Sequence, residues 1–473
     1  MRASVLPVGR ARVALTLLVA TLACAGTATY SRPAAAAGSW TEVTIAASDG
    51  TPLACAYIIP SGTAPAGGWP GVIVFHGLGQ SHADMESIGT ALAQFGFAAL
   101  ACDARGTGDS GGTFGLDGPK EVQDARDLFD WFAARNDVSD TQIGAFGVSL
   151  GGGEVWNAAA AGVPFKAIVP VATWTSLWPA LNPNGVPKSG EISDFSQVLF
   201  SRWDSSLTPL RNELLAGTVS AALKSAEGVR SSRPKLHSLH VPTLLLQGRH
   251  DFLFDMDQAI AAYKLLAGPK YLYLGDLGHS PAPDPPAEQS GYLGEAAAWF
   301  AEYLAGGPRL GGGVELAHDP WDGKKTFYKS LPKTLHSIVN LPGQRKLKTP
   351  AASVSRFVRL TGGPFETFGD GSVTVRYSGA ANGWTRLIAM VAVKGRSTPV
   401  TFGALPLTKK SGVLRIPLSD QAVLLPRGKR LVVTVGGDTA GGGVYLPLPG
   451  EVGSITIDRI TLDLSLLRRA VSR

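Results

Sequence analysis

Apolar residues are spaced differently in two regions of the chain. From Trp40 to about residue 306, short apolar runs such as GVIVFHG and PTLLLQG alternate with longer stretches of helical periodicity such as PKEVQDARDLFDWFAARND. Short apolar runs that end in glycine-rich loops are typical of buried parallel strands. Strands that alternate with helices predict a mostly parallel sheet with helices on both faces.

Beyond residue 306 the pattern is different. Short strand-like runs such as SVTVRYS and RLVVTV follow one another, separated by Gly, Pro and Asp. This spacing predicts an all-β sandwich or jelly roll over residues 307–473. Charge changes at the same place: residues 38–306 carry 15 Lys+Arg against 27 Asp+Glu, whereas residues 307–473 carry 24 against 10. The asymmetry supports a domain boundary near residue 307.

The first 37 residues have the pattern of a secretory signal peptide. Three arginines precede an apolar run at residues 13–25, and a tail of small residues ends at Ala37 with plausible cleavage sites. A membrane anchor is the alternative, although the apolar run is shorter than the ~20 residues that span a bilayer. We therefore expect a secreted protein that begins near residue 38.

Export makes the cysteines informative. Cys24 would leave with the signal peptide, so Cys55 and Cys102 would remain. An even number of cysteines in an oxidising compartment permits a disulfide, but two buried free thiols fit the sequence equally well.

Two serines match the pattern G-x-S-x-G, which marks the nucleophile elbow of α/β-hydrolases. Ser110 lies in GDSGG and Ser149 lies in GVSLG. An elbow requires a strand, a sharp turn that carries the serine, and then a helix. A strand-like run (QIGAFGV) and an alanine-rich helix flank Ser149, whereas a glycine-rich loop follows Ser110. GDSGG also resembles the trypsin motif, but that fold is all-β and places His and Asp upstream of Ser. The context favours Ser149 as the nucleophile.

Candidate partners of the nucleophile follow in the chain order of α/β-hydrolases, acid and then histidine. Asp251 follows the strand-like run PTLLLQG, and His279 follows YLYLG. The carboxylate would hold the imidazole, and the imidazole would take the serine proton and return it to the leaving group. Asp255 and Asp276 are alternative acids, and His250 is expected to point to the other side of its loop.

Backbone groups would form the oxyanion hole. The loop FHGLGQ follows the strand GVIVF, and its Leu78 N–H would act together with the N–H of Leu150, directly after the nucleophile. His76 is expected to brace this loop.

The motifs HGLG, DARGTGDSGG, GVSLGG, QGRHD and GHS occur in this order, and a β-rich region follows them. The chain resembles the X-prolyl dipeptidyl-peptidases and the cocaine-esterase-like acyl esterases. The resemblance implies an α/β-hydrolase fold over residues 38–306 with a helical cap at about residues 174–240. It also implies a C-terminal jelly-roll domain of the galactose-binding type. Ser110 would then lie in a structural loop that Asp103 and Arg105 tie down.

The chain departs from this family at one motif. Members often place a tyrosine hydroxyl from a Pro-Tyr motif in the oxyanion hole, whereas this chain has HGLG. The departure leaves dipeptidyl-peptidase activity open but does not affect the serine chemistry. Trp174 and Trp178 in the cap region are candidates to line an acyl or peptide pocket, with ordinary packing as the alternative.

The sequence thus predicts a secreted serine hydrolase that cleaves small ester or peptide substrates through an acyl-enzyme. X-Pro dipeptidyl-peptidase activity is a narrower alternative. An alternative of another class is an envelope-binding protein whose basic β-domain holds an anionic cell-envelope polymer. We expect no metal and no other cofactor, because the sequence has neither metal-ligand spacing nor a nucleotide-binding loop. We expect no nucleic-acid partner, because no basic cluster is interleaved with aromatic residues.

Overall fold

The computed structural model describes residues 38–198, 202–437, 443–446 and 452–467 of the 473-residue chain. The predicted signal peptide lies outside the described residues. Among the helices of the described ranges, none combines the length and apolar character that a bilayer span requires.

A ten-stranded sheet forms the centre of the first region, with the strand order β1-β2-β4-β3-β5-β6-β7-β8-β9-β10. Its strands are β1 (Thr41–Ala46), β2 (Pro52–Ile58), β3 (Trp69–Phe75), β4 (Ala98–Cys102), β5 (Val138–Val148), β6 (Ile168–Val171), β7 (Thr243–Gly248), β8 (Lys270–Gly275), β9 (Gly313–Ala317) and β10 (Lys325–Tyr328). Strands β3 to β9 run parallel to one another, whereas β1, β2 and β10 pair antiparallel at the two edges. The mostly parallel sheet is the predicted one.

Helices cover both faces of this sheet. The helices are α1 (Glu86–Gln94), α2 (Pro119–Ala133), α3 (Leu150–Ala160), α4 (Leu177–Leu181), α5 (Ser189–Ser196), α6 (Leu207–Leu215), α7 (Ala221–Gly228), α8 (Met256–Leu265) and α9 (Pro286–Ala305). Successive strand residues face opposite cores, since Leu244 and Leu246 pack in one apolar cluster and Leu245 packs in the other. Burial on both faces explains why the strands read as continuous apolar runs rather than as alternating ones.

Four short helices, α4 to α7, lie between β6 and β7 and occupy the region predicted to form a cap. They build their own apolar cluster around Leu177, Leu181 and Ile192. Leu150, the first residue of α3, belongs to the same cluster. The cap therefore packs directly over the start of α3.

Two antiparallel sheets make up the C-terminal region. One sheet has the order β11-β20-β14-β17, with β12 and β18 paired beside it, and the other has the order β13-β19-β15-β16. The strands are β11 (Thr334–Leu341), β12 (Arg345–Leu347), β13 (Ser353–Arg359), β14 (Phe365–Ser378), β15 (Arg386–Val393), β16 (Pro399–Pro406), β17 (Gly412–Leu418), β18 (Leu424–Leu425), β19 (Arg430–Gly436) and β20 (Ile455–Leu467). Buried residues of both sheets, such as Val375 and Val433, share one core, as in a sandwich.

The boundary between the two sheet systems differs from the predicted one. Strands β9 and β10 follow residue 306, yet they extend the first sheet, and β9 runs parallel to β8 with Leu272 opposite Val314. The apolar face of β9 completes the core beside β8, since Val314 and Leu316 are buried there. The sandwich begins only at β11. The change in charge and composition near residue 307 does not indicate which sheet a strand joins, so the boundary was predicted before β9.

Cys55 and Cys102 form a disulfide in the structure. They lie opposite each other on the antiparallel strands β2 and β4. The bond joins β2, the second strand from one edge of the sheet, to β4 across 47 positions of the chain. Of the two possibilities that the sequence left open, the structure has the bonded pair.

The sandwich contacts the first region through the loop of residues 419–423. Arg249, fully buried, donates from Nε to the Ala422 carbonyl over 2.7 Å, and its other nitrogens contact the Ala317 carbonyl and the Glu366 carboxylate. The N–H of Ala422 donates in return to the Arg249 carbonyl over 3.0 Å. These bonds hold the 419–423 loop directly behind the carboxyl end of β7.

Candidate active site

Ser149 stands at a sharp turn between β5 and α3. Its backbone has φ 53° and ψ −111°, a conformation that a non-glycine residue adopts only under constraint. The turn needs glycine on both sides. A Cβ added at Gly147 would overlap the Gly151 carbonyl, and a Cβ added at Gly151 would overlap the Phe75 carbonyl. The strand, turn and helix are those of a nucleophile elbow.

Hydrogen bonds fix the backbone of this turn. Ser149 N–H donates to the Val171 carbonyl over 2.9 Å, and the Thr173 hydroxyl donates to the Ser149 carbonyl over 2.7 Å. Thr173 could not be predicted as a site residue, because a Thr two residues after a short buried strand has no distinguishing local pattern.

The structure brings together the three side chains predicted to form the triad. Ser149 Oγ lies 2.8 Å from His279 Nε2, and His279 Nδ1 lies 2.8 Å from Asp251 Oδ2. Asp251 follows β7 and His279 follows β8, so both lie at the carboxyl edge of the sheet, like Ser149. These distances are within hydrogen-bonding range for proton transfer.

The Asp251 carboxylate is fully buried and surrounded by N–H donors. Oδ1 accepts hydrogen bonds from the backbone N–H groups of Leu253 and Phe254, each over 2.9 Å. Oδ2 accepts from the backbone N–H of His279 over 3.0 Å, as well as from the ring. Gln421 Nε2 in the 419–423 loop donates to the Asp251 carbonyl over 2.8 Å. Gln421 could not be predicted as a site residue, because no local pattern links it to a residue 170 positions earlier.

Electrostatics favour a proton on His279. Burial of the imidazole opposes its protonation, but the charge of Asp251 and the hydrogen bond to it prevail and raise the pKa of His279. Phe254 packs edge-on against the ring, with centroids 5.1 Å apart. The imidazole is thus held at the serine with its other nitrogen on a carboxylate, an arrangement suited to general base catalysis.

The alternative acids lie elsewhere. Asp255 receives the Ser419 hydroxyl at 2.5 Å, and Asp276 lies 3.0 Å from His250 Nδ1. The His250 ring faces Asp276 on one side and Asp319, at 3.3 Å from Nε2, on the other. His250 therefore points away from Ser149, as predicted.

These three residues, His250, Asp276 and Asp319, are close enough to be considered as metal ligands, with atoms within 4.8 Å of one another. Each ring nitrogen already faces its own carboxylate, and both carboxylates raise the pKa of His250 against the opposing effect of burial. The Arg249 guanidinium lies 4.0 Å from Asp276. His250 thus lies between two carboxylates, with one ring nitrogen facing each.

The loop predicted to supply the oxyanion hole lies beside the elbow. Phe75, the last residue of β3, is opposite Gly147 in the parallel register, and the Gly151 N–H donates to the His76 carbonyl over 3.0 Å. The His76 ring lies 2.7 Å from the Gly77 carbonyl and accepts from the Ala104 N–H over 3.0 Å, so it braces the loop as expected.

Leu78 in this loop and Leu150 at the start of α3 pack in one apolar cluster. The first residues of a helix have backbone N–H groups without intrahelical partners. The Leu150 N–H, directly after the serine, is such a group. The structure therefore brings both residues of the predicted oxyanion hole to the elbow.

Ser110 lies in a different setting. Its hydroxyl donates to the Asp103 carbonyl over 2.7 Å and accepts from the Ala54 N–H over 2.9 Å, and the residue is buried. The Asp103 carboxylate accepts the Asp109 N–H over 2.7 Å, and Arg105 binds Asp124. The hydroxyl thus joins two backbone segments, as expected for a structural loop.

An apolar cavity of about 230 Å³ opens within the cap. Trp178 lines it together with Leu181, Ile192 and Leu214. Trp174 instead packs in the interior, where its Nε1 donates to the Arg230 carbonyl over 2.8 Å. Of the two tryptophans, Trp178 has the position of a pocket residue.

The mostly parallel sheet, the elbow and the cap define an α/β-hydrolase. Residues 49–281 match the family of X-Pro dipeptidyl-peptidases (S15 family). The resemblance seen in the motifs is confirmed.

Solved structures show the same fold over nearly the whole chain. A CocE/NonD family hydrolase from Staphylococcus aureus is 16% identical, with a TM-score of 0.67 over 89% of this chain and 93% of that one. An α-amino acid ester hydrolase is 15% identical, with a TM-score of 0.67 over 95% of this chain and 99% of that one. Both likenesses include the sandwich, so the two-part architecture recurs in these proteins.

A 31.7 kDa protein from Escherichia coli, encoded in the traX-finO intergenic region, is 33% identical over 102 residues. The match covers 21% of this chain and 36% of the relative. The chain thus spans little more than a third of the length of this curated relative.

Proposed function

We propose that the chain is a serine hydrolase that cleaves esters or amides through an acyl-enzyme on Ser149. One observation carries the proposal: Ser149 Oγ, the His279 imidazole and the buried Asp251 carboxylate lie in one line of hydrogen bonds, each 2.8 Å long. The strained turn at Ser149 supports it, because such strain is retained where it orients a reacting group.

In the proposed reaction, Ser149 Oγ attacks the substrate carbonyl while His279 Nε2 takes the hydroxyl proton. Asp251 holds the ring and stabilises the imidazolium that forms. The negative charge that develops on the carbonyl oxygen faces the N–H groups of Leu78 and Leu150. His279 then gives its proton to the leaving alcohol or amine, and a water molecule hydrolyses the acyl-enzyme by the same steps.

Hydrolysis of p-nitrophenyl acyl esters tests the proposal. We expect burst kinetics, with one equivalent of p-nitrophenol released before the slower steady state if deacylation limits the rate. Ser149→Ala should reduce kcat by about 10⁶-fold, the loss expected when a triad nucleophile is removed. A Ser149→Ala protein that is folded and still active would contradict the proposal.

Removal of dipeptides from the amino terminus of peptides is a narrower candidate, and Glu191 favours it. An exopeptidase must bind the substrate ammonium group, and Glu191 is close enough to interact with the charge of His279. Burial raises the pKa of Glu191, while the charges of Lys188 and His279 oppose this effect.

Comparing p-nitrophenyl esters with Ala-Pro-p-nitroanilide distinguishes the two activities. A dipeptidyl-peptidase should cleave the anilide, and Glu191→Gln should raise KM for the anilide without a similar effect on esters. Cleavage of esters alone would restrict the chain to esterase activity, as the HGLG motif in place of Pro-Tyr suggests.

We also propose that the protein is exported. The arginines and apolar run of the first 37 residues support this, and so does the Cys55–Cys102 disulfide, since disulfides persist mainly in oxidising compartments. Amino-terminal sequencing of protein recovered from the culture medium should show a start near residue 38. An intact amino terminus in the cytoplasmic fraction alone would contradict export.

A further inference from the structure

Lys188 is a charged residue in the interior of the protein, between the cap and the proposed triad. It lies directly before α5, and its exposed fraction is only 2%. Burial of an ammonium group is unfavourable unless hydrogen bonds and opposite charges compensate for it. The partners of Lys188 therefore indicate what the protein requires at this position.

The ammonium group of Lys188 binds the loop that carries Asp251. Its Nζ donates to the Phe252 carbonyl over 2.9 Å and to the Leu253 carbonyl over 2.8 Å. These two residues follow directly after Asp251 in the chain. A residue of the cap thus holds the loop of the proposed catalytic acid by two charge-assisted hydrogen bonds.

The same two peptide groups hold the Asp251 carboxylate on their other side. The Phe252 carbonyl shares a peptide group with the Leu253 N–H, and the Leu253 carbonyl shares the next one with the Phe254 N–H. Both N–H groups donate to Asp251 Oδ1, each over 2.9 Å. The C=O and N–H of a planar trans peptide point in opposite directions. The ammonium group and the carboxylate therefore lie on opposite sides of the same two peptide groups.

This arrangement strengthens the hydrogen bonds that fix Asp251. A carbonyl that accepts from a cation polarises its peptide group, and hydrogen bonds in such a chain reinforce one another. The effect is larger in a buried site than in water, because the local dielectric constant is lower. Oδ1 is held at the two N–H groups, and Oδ2 is thereby directed at His279 Nδ1, 2.8 Å away.

The charges around Lys188 favour its ammonium form. Burial lowers the pKa of Lys188, and the negative charges of Asp255, Glu191 and Asp251 oppose this effect. The cation in turn compensates for the buried charge of Asp251, which must stay ionised to stabilise the imidazolium of His279.

The cap and the sandwich together hold Lys188 in place. The backbone N–H of Lys188 donates to the carbonyl of Leu181, the last residue of α4, over 2.8 Å. The next residue, Ser189, accepts at its hydroxyl the N–H of Leu446, which lies between β19 and β20, over 2.8 Å. Segments outside the ten-stranded sheet thus determine where the ammonium group meets the Asp251 loop.

We propose that Lys188 is a positioning residue of the triad, whose ammonium group holds the two peptide groups that fix the Asp251 carboxylate toward His279. This role rests on the function proposed above, because it concerns catalysis only if the triad acts through Ser149. Lys188 acts through Asp251 and not on the substrate, since its ammonium group is buried against the loop. Its loss should therefore slow the reaction without weakening substrate binding.

Lys188→Met tests the proposal, because methionine fills most of the same space and removes both the charge and the donors. With a p-nitrophenyl ester, kcat should fall about 10- to 100-fold, the range expected when a catalytic group is displaced by about 1 Å. KM should stay within about threefold of wild type, because no contact with the substrate is lost. Rates are expressed per folded molecule, with the folded fraction measured by circular dichroism.

Lys270→Met is the matched control. Lys270 Nζ also donates to a backbone carbonyl, that of Leu266 over 2.7 Å, but Lys270 begins β8, whereas His279 follows the other end of this strand. The control should melt at a lower temperature than wild type and keep its kcat. Lys188→Arg is the conservative variant, and its kcat should return to within about fivefold of wild type because the guanidinium keeps the charge and the donors.

A folded Lys188→Met variant with kcat within about threefold of wild type would overturn the proposal and leave Lys188 a purely structural role. If Lys188→Met does not fold, Lys188→Arg decides the question. A kcat within about fivefold of wild type at an unchanged melting temperature would support the proposal, and a larger loss would contradict it. A wild-type protein that cleaves no ester and takes no fluorophosphonate label would instead refute the proposed hydrolase function, before any variant is compared.

Discussion

Replacing Asp251 by asparagine tests how strictly the structure requires a carboxylate at this position. Four N–H groups converge on the carboxylate: two backbone groups on Oδ1, and the backbone and ring of His279 on Oδ2. A carboxylate accepts at both oxygens, whereas an amide has one oxygen and one NH₂ donor. In either orientation of the asparagine, the NH₂ group would face two N–H groups.

The magnitude follows from the hydrogen bonds that an amide cannot accept. Each hydrogen bond to a charged group contributes about 1.5–3 kcal/mol, so the loss of two should lower the free energy of unfolding by about 3–6 kcal/mol. If the NH₂ group faces the His279 ring, Nδ1 must accept and the proton moves to Nε2. The imidazole then cannot take the Ser149 proton, and kcat should fall about 10⁴-fold. This loss corresponds to about 5 kcal/mol of transition-state stabilisation.

Urea denaturation measures the decrease in the free energy of unfolding, and initial rates with a p-nitrophenyl ester measure the decrease in kcat. Asp276→Asn is the matched control, because Asp276 contacts His250 and not His279. It should retain activity within about tenfold of wild type, since the hydrogen bonds of the triad are unchanged. An Asp251→Asn variant that keeps more than about a tenth of wild-type kcat would contradict the role assigned to this carboxylate, and so would an Asp276→Asn variant that loses as much activity as Asp251→Asn.

The pH dependence of kcat/KM tests the electrostatic effect of Asp251 on His279. His279 must be neutral to accept the serine proton, so kcat/KM should rise with pH as the imidazole loses its proton. Because Asp251 raises the pKa of His279 above its usual value of 6.5, the midpoint of this rise in the wild-type protein should lie above pH 6.5. In Asp251→Asn, which lacks the carboxylate, the midpoint of the rise in the residual kcat/KM should move to lower pH. Movement to higher pH would contradict the electrostatic role assigned to Asp251.

Two further predictions concern stability. Replacing Cys55 and Cys102 together by serine removes a cross-link over 47 positions, which contributes about 4 kcal/mol by loop-closure entropy. The urea midpoint of the variant should therefore fall, and dithiothreitol should not lower it further. An unchanged midpoint would show that the bond does not form. Gln421→Ala leaves the Asp251 carbonyl buried without its donor and should lower the free energy of unfolding by about 1–3 kcal/mol, measured by urea denaturation. Its kcat should stay within about tenfold of wild type because the carboxylate keeps its four donors, and a decrease near 10⁴-fold in the folded variant would contradict this account.

The sequence was sufficient to predict the first region because burial on both faces leaves a strong local pattern. Strands β3 and β7 read as continuous apolar runs, and the residues that follow parallel strands meet at one edge of the sheet. Asp251 and His279 could therefore be placed near Ser149 without knowledge of the distances. Flanking elements distinguished Ser149 from Ser110, where the shared motif could not.

Features that depend on register or on contacts between distant segments could not be predicted in this way. Pairing of Cys55 with Cys102 follows from the alignment of β2 with β4, which the sequence does not specify. Addition of β9 to the first sheet depends on an open edge at β8, whereas the change in composition suggested a boundary before it. The contact of Gln421 with Asp251 joins the sandwich to the hydrolase region, and nothing in the local sequence reports it.

Labelling with a fluorophosphonate probe identifies the nucleophile itself, because such a probe reacts with a serine only where a base activates it. Peptide mapping of the labelled protein should find one modified residue, Ser149. Labelling should disappear in Ser149→Ala and persist in Ser110→Ala. No labelling of the folded wild-type protein, or a label on Ser110, would contradict the assignment.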